Sequence, residues 1–447
     1  MRKSVLLAAV CALALAGAGP AIAAKIKTQP AAPVAATLTP IAPEAEGFDS
    51  ARLGRLNAAM HGLVDVGHLA GIQTMLVRHG RVVSFDSYGK ASPDQPVAPN
   101  TIYRMYSQTK PTIGAAMMIL FEQGKWRLED PVTKFIPEFA NLKVMTGLDK
   151  DGAPILEDMK HPPTMRELMT HTAGFGYGLR SDDYVDQQFQ KQHVLQSNGL
   201  QDMINKIATI PLLYQPGTRW SYSVAVDIQG YIIEKLSGMR LADFMQKNLY
   251  GPLGMKDTGF YVPADKVSRL SAAYAINPQN HQLVVITPAQ FPALQDFTKV
   301  PAMDSGGGGS LSTSADYARF CQMILNNGEL DGARVLSPAA ISLIEADELE
   351  NTVQAEDEKG FTPIGSDAIG FGLDMAVLKD PAKAGSLAGK GSVWWGGAAG
   401  TWFWIDPKND LFFLGMIQRF GGDMTGNDNI SQLSQTLVYQ ALTHPEK

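Results

Sequence analysis

A serine and a lysine stand three positions apart at the start of an apolar segment, as Ser107 and Lys110. On a helix, residues three apart share a face, so the hydroxyl and the amine can meet one turn apart. A serine beside an amine that can accept its proton is the arrangement that nucleophilic catalysis requires. The start of a helix also presents free backbone N–H groups and a positive dipole end, which stabilise an anionic intermediate. A structural helix cap is the alternative role for Ser107.

The same spacing occurs a second time, at Ser87 and Lys90. That copy follows an alternating, strand-like run, and residues three apart on a strand point to opposite faces. We therefore interpret the second copy as chance. The context of Ser107 is different, because Pro111 suits a first helical turn and residues 113–121 are almost wholly apolar, as in a buried helix.

The composition is that of an ordinary globular protein. Of 447 residues, 45% are hydrophobic and 18% are charged, and the length allows two domains or one large one. A net charge of −6, a pI near 5.8 and the lack of a basic, aromatic-rich cluster predict no nucleic-acid partner. The eight histidines form no His-x-His or His-x-x-x-His pair, so the sequence indicates no metal site.

The first 23 residues have the pattern of an export signal. Arg2 and Lys3 form the basic start, residues 5–16 form the apolar stretch, and residues 21–23 (Ala-Ile-Ala) form a small-residue cleavage site. An uncleaved anchor is the alternative, but the apolar stretch is shorter than the roughly 20 residues that span a bilayer. We expect a periplasmic or secreted protein without a stable membrane span after cleavage. Cys321 is then the one remaining cysteine, which excludes an intrachain disulfide.

Hydrophobic periodicity predicts strands near both ends of the chain and helices between them. A helix over 49–66 precedes a hairpin of strands 72–78 and 82–87. Helical patterns follow over 113–123, 165–170, 200–207, 226–236 and 241–249. The last third has strands over 392–395, 401–405 and 411–417 and a closing helix over 430–442.

This order predicts an α/β plus α fold, in which both termini build one antiparallel sheet flanked by helices. We expect an α/β domain formed by residues 47–105 and 300–447, with a mainly helical domain, residues 106–299, inserted into it. Residues 24–46 are rich in Pro and Ala and are expected to form a linker. A cleft between the two domains is the natural ligand site.

Three segments could supply partners for Ser107. Tyr222 lies on a loop before a helix, where a phenol that loses its proton can act as a general base, although spacing alone favours a loop aromatic packed on the core. Trp395, Gly396 and Gly397 join two strands, where glycines admit a close ligand and free N–H groups can form an oxyanion hole. A plain hairpin turn is the alternative there. The glycine run at 306–309 suggests a flexible loop that borders the site.

These segments, in their order along the chain, resemble the serine β-lactamase and penicillin-binding-protein superfamily, and especially class C β-lactamases and family VIII carboxylesterases. The likeness extends over about residues 50–440. The matching segments are 103–110 (Tyr-Arg-Met-Tyr-Ser-Gln-Thr-Lys), 168–174 (Leu-Met-Thr-His-Thr-Ala-Gly), 222–227 (Tyr-Ser-Val-Ala-Val-Asp), 252–255 (Pro-Leu-Gly-Met), 305–320 and 395–397 (Trp-Gly-Gly).

The resemblance implies roles for individual residues. Ser107 would be the nucleophile, Lys110 its activating amine, and Tyr222 the general base and later acid. The backbone N–H groups of Ser107 and Ala398 would form the oxyanion hole, and Trp395, Gly396 and Gly397 would contact the substrate. Neither a metal nor an organic cofactor is implied.

Two departures from the β-lactamases bear on the substrate. Those enzymes usually have Lys-Thr-Gly where Trp395 begins the third motif here, and an indole offers an apolar wall and one N–H in place of a full charge. They also usually have an asparagine amide where Val224 stands. Both changes resemble the esterase branch, so we expect a serine carboxylesterase acting on small-molecule, short-chain acyl esters. The alternatives are a β-lactamase, D-amino-acid peptidase or acyltransferase with the same machinery, and a penicillin-binding-like sensor. The sequence does not indicate the oligomeric state.

The export signal gives the first testable prediction. If residues 1–23 are removed on export, N-terminal sequencing of the protein recovered from the periplasm or medium should begin at Ala24. A sequence that begins at Met1 would contradict the prediction.

Overall fold

Nine strands of the described chain form one sheet that both ends of the chain build together. The computed structural model describes residues 38–290, 294–349, 353, 364–421 and 429–445. The sheet strands are β1 (Thr39–Pro40), β2 (Gly71–Arg78), β3 (Arg81–Ser92), β4 (Gln95–Pro96), β5 (Ile369–Phe371), β6 (Ala376–Leu378), β7 (Val393–Gly396), β8 (Trp402–Asp406) and β9 (Leu411–Met416). Their order is β1-β3-β2-β9-β8-β7-β6-β5, with β4 paired to β3. All neighbours are antiparallel except β1 and β3, which are parallel.

The two ends of the chain meet at the pairing of β2 with β9, where Val77 lies opposite Phe412. Successive side chains of these strands point to opposite faces, as the pleat requires. Val77 and Phe412 pack into the larger core, which includes most of the helices, while Leu76 and Phe413 pack into a second core on the other face. Both faces of the sheet are therefore buried, which explains why its central strands are apolar at nearly every position.

Eleven α-helices are present in the described residues. They are α1 (Ser50–Asp65), α2 (Lys110–Glu122), α3 (Met165–Met169), α4 (Tyr184–Lys191), α5 (Leu200–Ile207), α6 (Ala225–Ser237), α7 (Leu241–Met245), α8 (Ser314–Leu325), α9 (Pro338–Glu345), α10 (Pro381–Ala384) and α11 (Ile430–Tyr439). Helices α1 and α11 cover one face of the sheet, and α8 packs on the other. None of the described helices is both long and apolar enough to cross a bilayer.

Short strand pairs complete the regular structure. Tyr103–Arg104 pairs with Leu311–Ser312 beside the start of α2. The segments between the helices contain two hairpins, formed by Lys143–Leu148 with Pro154–Asp158 and by Ala273–Ile276 with Leu283–Ile286. The second hairpin is joined by Arg419–Phe420, and Glu329–Leu330 pairs with Ala333–Arg334.

Helix α2 is the central helix of the larger core. Every residue from Lys110 to Leu120 is buried, and α2 packs against α6, α9 and the turn that precedes it. A helix that is apolar all round must be surrounded by protein, so its sequence already indicates this position. Pro111 stands in its first turn, where the missing N–H is not needed.

The predicted fold class is confirmed, and so is the sheet built from both termini. The predicted helices at 49–66, 200–207 and 226–236 are present with bounds shifted by at most two residues. The predicted linker is wrong at its C-terminal end, because β1 and a 3₁₀ turn at Pro43–Glu46 lie within it. Residues 1–37, which include the predicted export signal, lie outside the described residues. The residues from Thr37 to Lys447 cluster as one compact unit. That the helical insertion is a domain of its own therefore stays a prediction.

Arg78 ties both ends of the chain to the sheet. Its buried guanidinium donates hydrogen bonds to the carbonyl oxygens of Glu46 (2.9 Å), His444 (2.8 Å) and Asn409 (3.1 Å).

Arg78→Ala should lower the free energy of unfolding by about 3 kcal/mol or more, since three carbonyls lose a charged donor. Urea unfolding monitored by tryptophan fluorescence measures this. Lys125→Ala, at an exposed position, is the control expected within about 0.5 kcal/mol of wild type. Equal stability of Arg78→Ala and wild type would contradict the assignment.

Candidate active site

Ser107 lies on a 3₁₀ turn, Tyr106–Thr109, that leads directly into α2. Its side chain is half-buried, whereas Lys110 in the first turn of α2 is wholly buried. The preceding residue, Tyr106, has a φ of 44°, which is an uncommon conformation for a residue with a side chain. Such local strain is typical of functional sites and is held in place here by the surrounding structure.

The Lys110 amine has three oxygen partners, each from a different segment. Nζ lies 3.3 Å from Ser107 Oγ, 2.9 Å from Tyr177 Oη and 2.7 Å from the carbonyl oxygen of Gly307. It also lies 4.5 Å from the ring centroid of Tyr222. The predicted pairing of Ser107 with Lys110 is thus present in the structure, and the amine is held where it can take the hydroxyl proton.

Burial lowers the pKa of Lys110 to about 7, and the nearby carboxyl groups of Asp227 and Asp374 oppose this effect. A charged amine is disfavoured away from water, so desolvation shifts the balance toward the neutral form. A substantial fraction of Lys110 is therefore neutral at neutral pH. A neutral amine can act as a general base toward Ser107, which an ordinary lysine with its proton cannot.

Tyr222 lies on the loop before α6, with its ring surrounded by aromatic neighbours. The ring centroids of His171, Tyr177 and Trp395 are 5.2, 5.3 and 5.5 Å from that of Tyr222. Burial raises the pKa of Tyr222 well above its usual value, and the nearby Ser107 hydroxyl and Trp395 indole offset this only in part. The phenol is therefore neutral at neutral pH, which favours Tyr222 as a proton donor and Lys110 as the proton acceptor.

The Trp-Gly-Gly segment ends β7 and contacts the backbone just before the nucleophile. A Cβ atom added to Gly397 would lie 2.2 Å from the carbonyl oxygen of Met105, so only glycine permits this approach. Ala398 follows in an exposed turn between β7 and β8. Strand β7, which carries Trp395, packs against the 3₁₀ turn that carries Ser107. The oxyanion-hole roles of Ser107 and Ala398 stay predictions.

Tyr177 is a site residue that sequence reasoning missed. Its position depends on Asp186 of α4, whose carboxylate accepts hydrogen bonds from the backbone N–H groups of Tyr177 (2.8 Å), Gly178 (2.9 Å), Leu179 (3.1 Å) and Arg180 (2.9 Å). Tyr177 lies on a loop, and α4 was not among the helices predicted from the sequence. The Gly-Tyr-Gly context of residues 176–178 is the one hint, since glycines on both sides let a loop turn sharply.

The glycine run at 306–309 borders the site, as the sequence suggested, and is anchored at both ends. Asp304 forms a bidentate ion pair with Arg240, with both N–O distances at 2.7 Å. Ser305 donates a hydrogen bond to Asp227, and Ser310 pairs with Thr109 at 2.7 Å. Both ends of the run are therefore held by polar contacts, and the carbonyl oxygen of Gly307 between them binds Lys110.

Other residues of chemical interest can also be placed in the structure. Ser87 accepts a hydrogen bond from Gln73 while Lys90 donates to the carbonyl of Pro93, so the second Ser-x-x-Lys pair does not cooperate. His171 is a hydrogen-bonded residue, with Nδ1 at 2.9 Å from Ser223 Oγ. Cys321 is buried in α8. Within the described residues no group of three or more His, Cys, Asp or Glu side chains is arranged to hold a metal ion.

Known proteins resemble this chain in sequence and in fold. A family model described as Beta-lactamase matches residues 56–436. Protein Rv1367c of Mycobacterium tuberculosis is 34% identical over 376 residues, 81% of this chain and 89% of its own. Esterase EstB of Burkholderia gladioli is 29% identical over 402 residues, covering 85% and 93%. The solved structure of EstCE1, a hydrolase with promiscuous acyltransferase activity, has a TM-score of 0.72 at 24% identity, covering 89% of this chain and 100% of its own.

The fold and the site define a serine hydrolase of the β-lactamase type. The chain belongs to the beta-lactamase family, since the family model covers most of its length. The structural likeness to EstCE1 shows the fold alone, because the two sequences are under 25% identical.

The pKa of Lys110 predicts how Ser107 reactivity depends on pH. An alkyl fluorophosphonate, which reacts with activated serines by losing fluoride, should label Ser107 at a rate that rises with pH through about 7. Below that value the neutral amine, and hence the rate, falls about tenfold for each pH unit. Intact-protein mass spectrometry measures the labelling, with Ser107→Ala as the unlabelled control. A rate that is flat from about pH 5 to about pH 9 would show that Lys110 does not activate the serine.

Proposed function

We propose that the protein is a serine carboxylesterase that cleaves short-chain acyl esters through an acyl-enzyme on Ser107. The observation that carries the proposal is the contact between Ser107 and a buried Lys110 whose pKa lies near 7. Esterase EstB and the lovastatin esterase of Penicillium rubens, 28% identical over 335 residues, support ester chemistry in this family.

Acylation begins when Ser107 Oγ attacks the ester carbonyl carbon and its proton passes to the neutral amine of Lys110. The carbonyl oxygen becomes an oxyanion, which we place against the backbone N–H groups of Ser107 and Ala398. The carbon–oxygen bond to the alcohol then breaks. The departing oxygen takes a proton from the neutral Tyr222 phenol, which recovers one from the Lys110 ammonium beside its ring.

Deacylation repeats these steps with water. Water attacks the acyl carbon and gives up a proton to Lys110, directly or through Tyr222. The bond between the acyl carbon and Ser107 Oγ breaks, and the serine oxygen takes that proton back. An alcohol that enters in place of water would give acyl transfer by the same steps. This second candidate is supported by a relative, the acyltransferase calJ of Penicillium decumbens, which is 25% identical over 370 residues.

The wall beside Ser107 favours an uncharged acyl ester over an anionic β-lactam. Trp395 packs against Tyr222 and Phe371, with ring centroids 5.5 Å away in both cases. An aromatic wall attracts apolar groups and provides no countercharge for a carboxylate. We also propose export through residues 1–23, which would place the enzyme in the periplasm or the medium.

The function is tested by a parallel assay of p-nitrophenyl butyrate and a chromogenic cephalosporin. Wild type should hydrolyse the ester well and the cephalosporin poorly. Ser107→Ala should lower kcat on the ester by about 10³-fold or more, since the nucleophile is lost. Ser87→Ala, in the second Ser-x-x-Lys copy, is the matched control and should keep wild-type activity. Efficient cephalosporin turnover would assign the protein to the lactamases instead, and an active Ser107→Ala would remove Ser107 from the mechanism.

A further inference from the structure

Asp227 is a buried carboxylate linked to the active-site lysine through one backbone segment. It stands in the first turn of α6 with no exposed surface. Its Oδ1 accepts hydrogen bonds from Ser305 Oγ (2.5 Å) and from the backbone N–H of Gly307 (3.1 Å). The carbonyl oxygen of the same Gly307 accepts the hydrogen bond of Lys110 Nζ. Asp227 and Lys110 thus contact the two polar groups of one residue.

The second oxygen of Asp227 faces the same region. Oδ2 is buried and has no hydrogen-bond partner within the described residues. A Cβ atom added to Gly307 would lie 2.2 Å from this oxygen and 2.6 Å from Tyr177 Oη, which itself contacts Lys110. The carboxylate and the phenol therefore lie beside the bare α-carbon of Gly307, and the lysine binds the carbonyl oxygen of the same residue. A buried carboxylate oxygen without a donor is costly unless a positive charge lies near it.

The other titratable groups near Lys110 are Asp374, His171, Tyr177 and Tyr222. Burial raises the pKa of Asp374, in the turn between β5 and β6, well above its usual value, and the hydrogen bond from Gln229 Nε2 (3.0 Å) and the charge of Lys110 oppose this. Burial lowers the pKa of His171, whose Nδ1 accepts the backbone N–H of Ser223. Tyr177 and Tyr222 have raised pKa values because they are buried.

Asp227 differs from Asp374 in its donors. Burial raises the pKa of Asp227 as well, but Lys110, Ser305 and the N–H of Gly307 all oppose that effect. The N-terminal end of α6 adds a favourable dipole for a negative charge in its first turn. These donors favour the charged form of Asp227, which Gly307 connects to Lys110.

We propose that Asp227 is a positioning residue that supplies the countercharge of Lys110 and fixes the carbonyl that orients its amine. Without this anion, burial would make the amine too weak a base to take the proton of Ser107. The inference rests on the proposed function, in which Lys110 activates Ser107.

Asp227→Asn tests the charge and keeps the geometry, because its amide oxygen can still accept from Ser305 and Gly307. Removal of the anion makes the ammonium form of Lys110 less stable, so Lys110 gives up its proton at lower pH. In the pH profile of the labelling rate of Ser107 by the fluorophosphonate, the acidic limb should therefore move to lower pH. The plateau rate at higher pH should fall, because the amine becomes a weaker base. The same shift should appear in kcat/KM for p-nitrophenyl butyrate.

Two control variants separate charge from structure. Arg240→Ala loosens the same glycine segment through Asp304 but leaves Asp227 intact, so it should lower the plateau without moving the limb. Asp374→Asn removes the other buried carboxyl group near Lys110, which binds Gln229, and should move the limb less than Asp227→Asn does. A limb that stays in place in Asp227→Asn would overturn the proposal, and a limb that moves equally in Asp374→Asn would overturn the assignment of the charge to Asp227.

Failure of the proposed function and failure of this inference give different results. Labelling needs no knowledge of the substrate, so an intact labelling limb without ester turnover would reject the esterase and keep the inference. Ester turnover with an unmoved limb in Asp227→Asn would do the reverse. If Asp227→Asn does not fold, as shown by urea unfolding, Asp227→Ser is a second neutral variant with the same expected shift.

Discussion

The amine of Lys110 is buried in the first turn of α2, and this placement determines which groups must surround it. Away from water an ammonium group is unstable, so the pKa of Lys110 falls to about 7. The amine must also find hydrogen-bond acceptors inside the protein. It finds them in Ser107, Tyr177 and Gly307, and these three contacts fix where its nitrogen lies.

These contacts require several distant parts of the chain to fold together. Ser107 and Lys110 are neighbours on one turn, but Tyr177 is 67 residues from Lys110 and Gly307 is 197. Helix α4 positions Tyr177 through Asp186, and the ion pair of Arg240 with Asp304 positions the glycine segment. The sheet contributes the Trp-Gly-Gly turn through the contact of Gly397 with Met105. A site of this kind forms only when these distant segments have packed around the start of α2.

The sequence predicts the local parts of this arrangement and misses the long-range ones. The period of apolar residues identifies α1, α2 and α6, and the spacing of Ser107 and Lys110 identifies their pairing, because both depend on near neighbours. Apart from its flanking glycines, nothing local marks Tyr177, since its position depends on the carboxylate of Asp186 in α4. The glycine run suggests flexibility by composition, yet its glycines serve close packing: a Cβ on Gly307 would collide with Asp227. Composition reports what a backbone can do, whereas the partners that fix it come from elsewhere in the chain.

The indole at position 395 also bears on proton transfer, beyond its effect on the substrate. A lysine in this motif, as in the β-lactamases that the chain resembles, would place a second positive charge beside Tyr222. That charge would stabilise the phenolate and destabilise the ammonium of Lys110, so both pKa values would fall and Tyr222 would become the stronger candidate for general base. With Trp395 in place, Tyr222 stays neutral and Lys110 is the group that titrates near neutral pH. We therefore expect tryptophan in place of lysine to remove a binding charge for anionic substrates and, by the same electrostatics, to favour the amine over the phenol as the base.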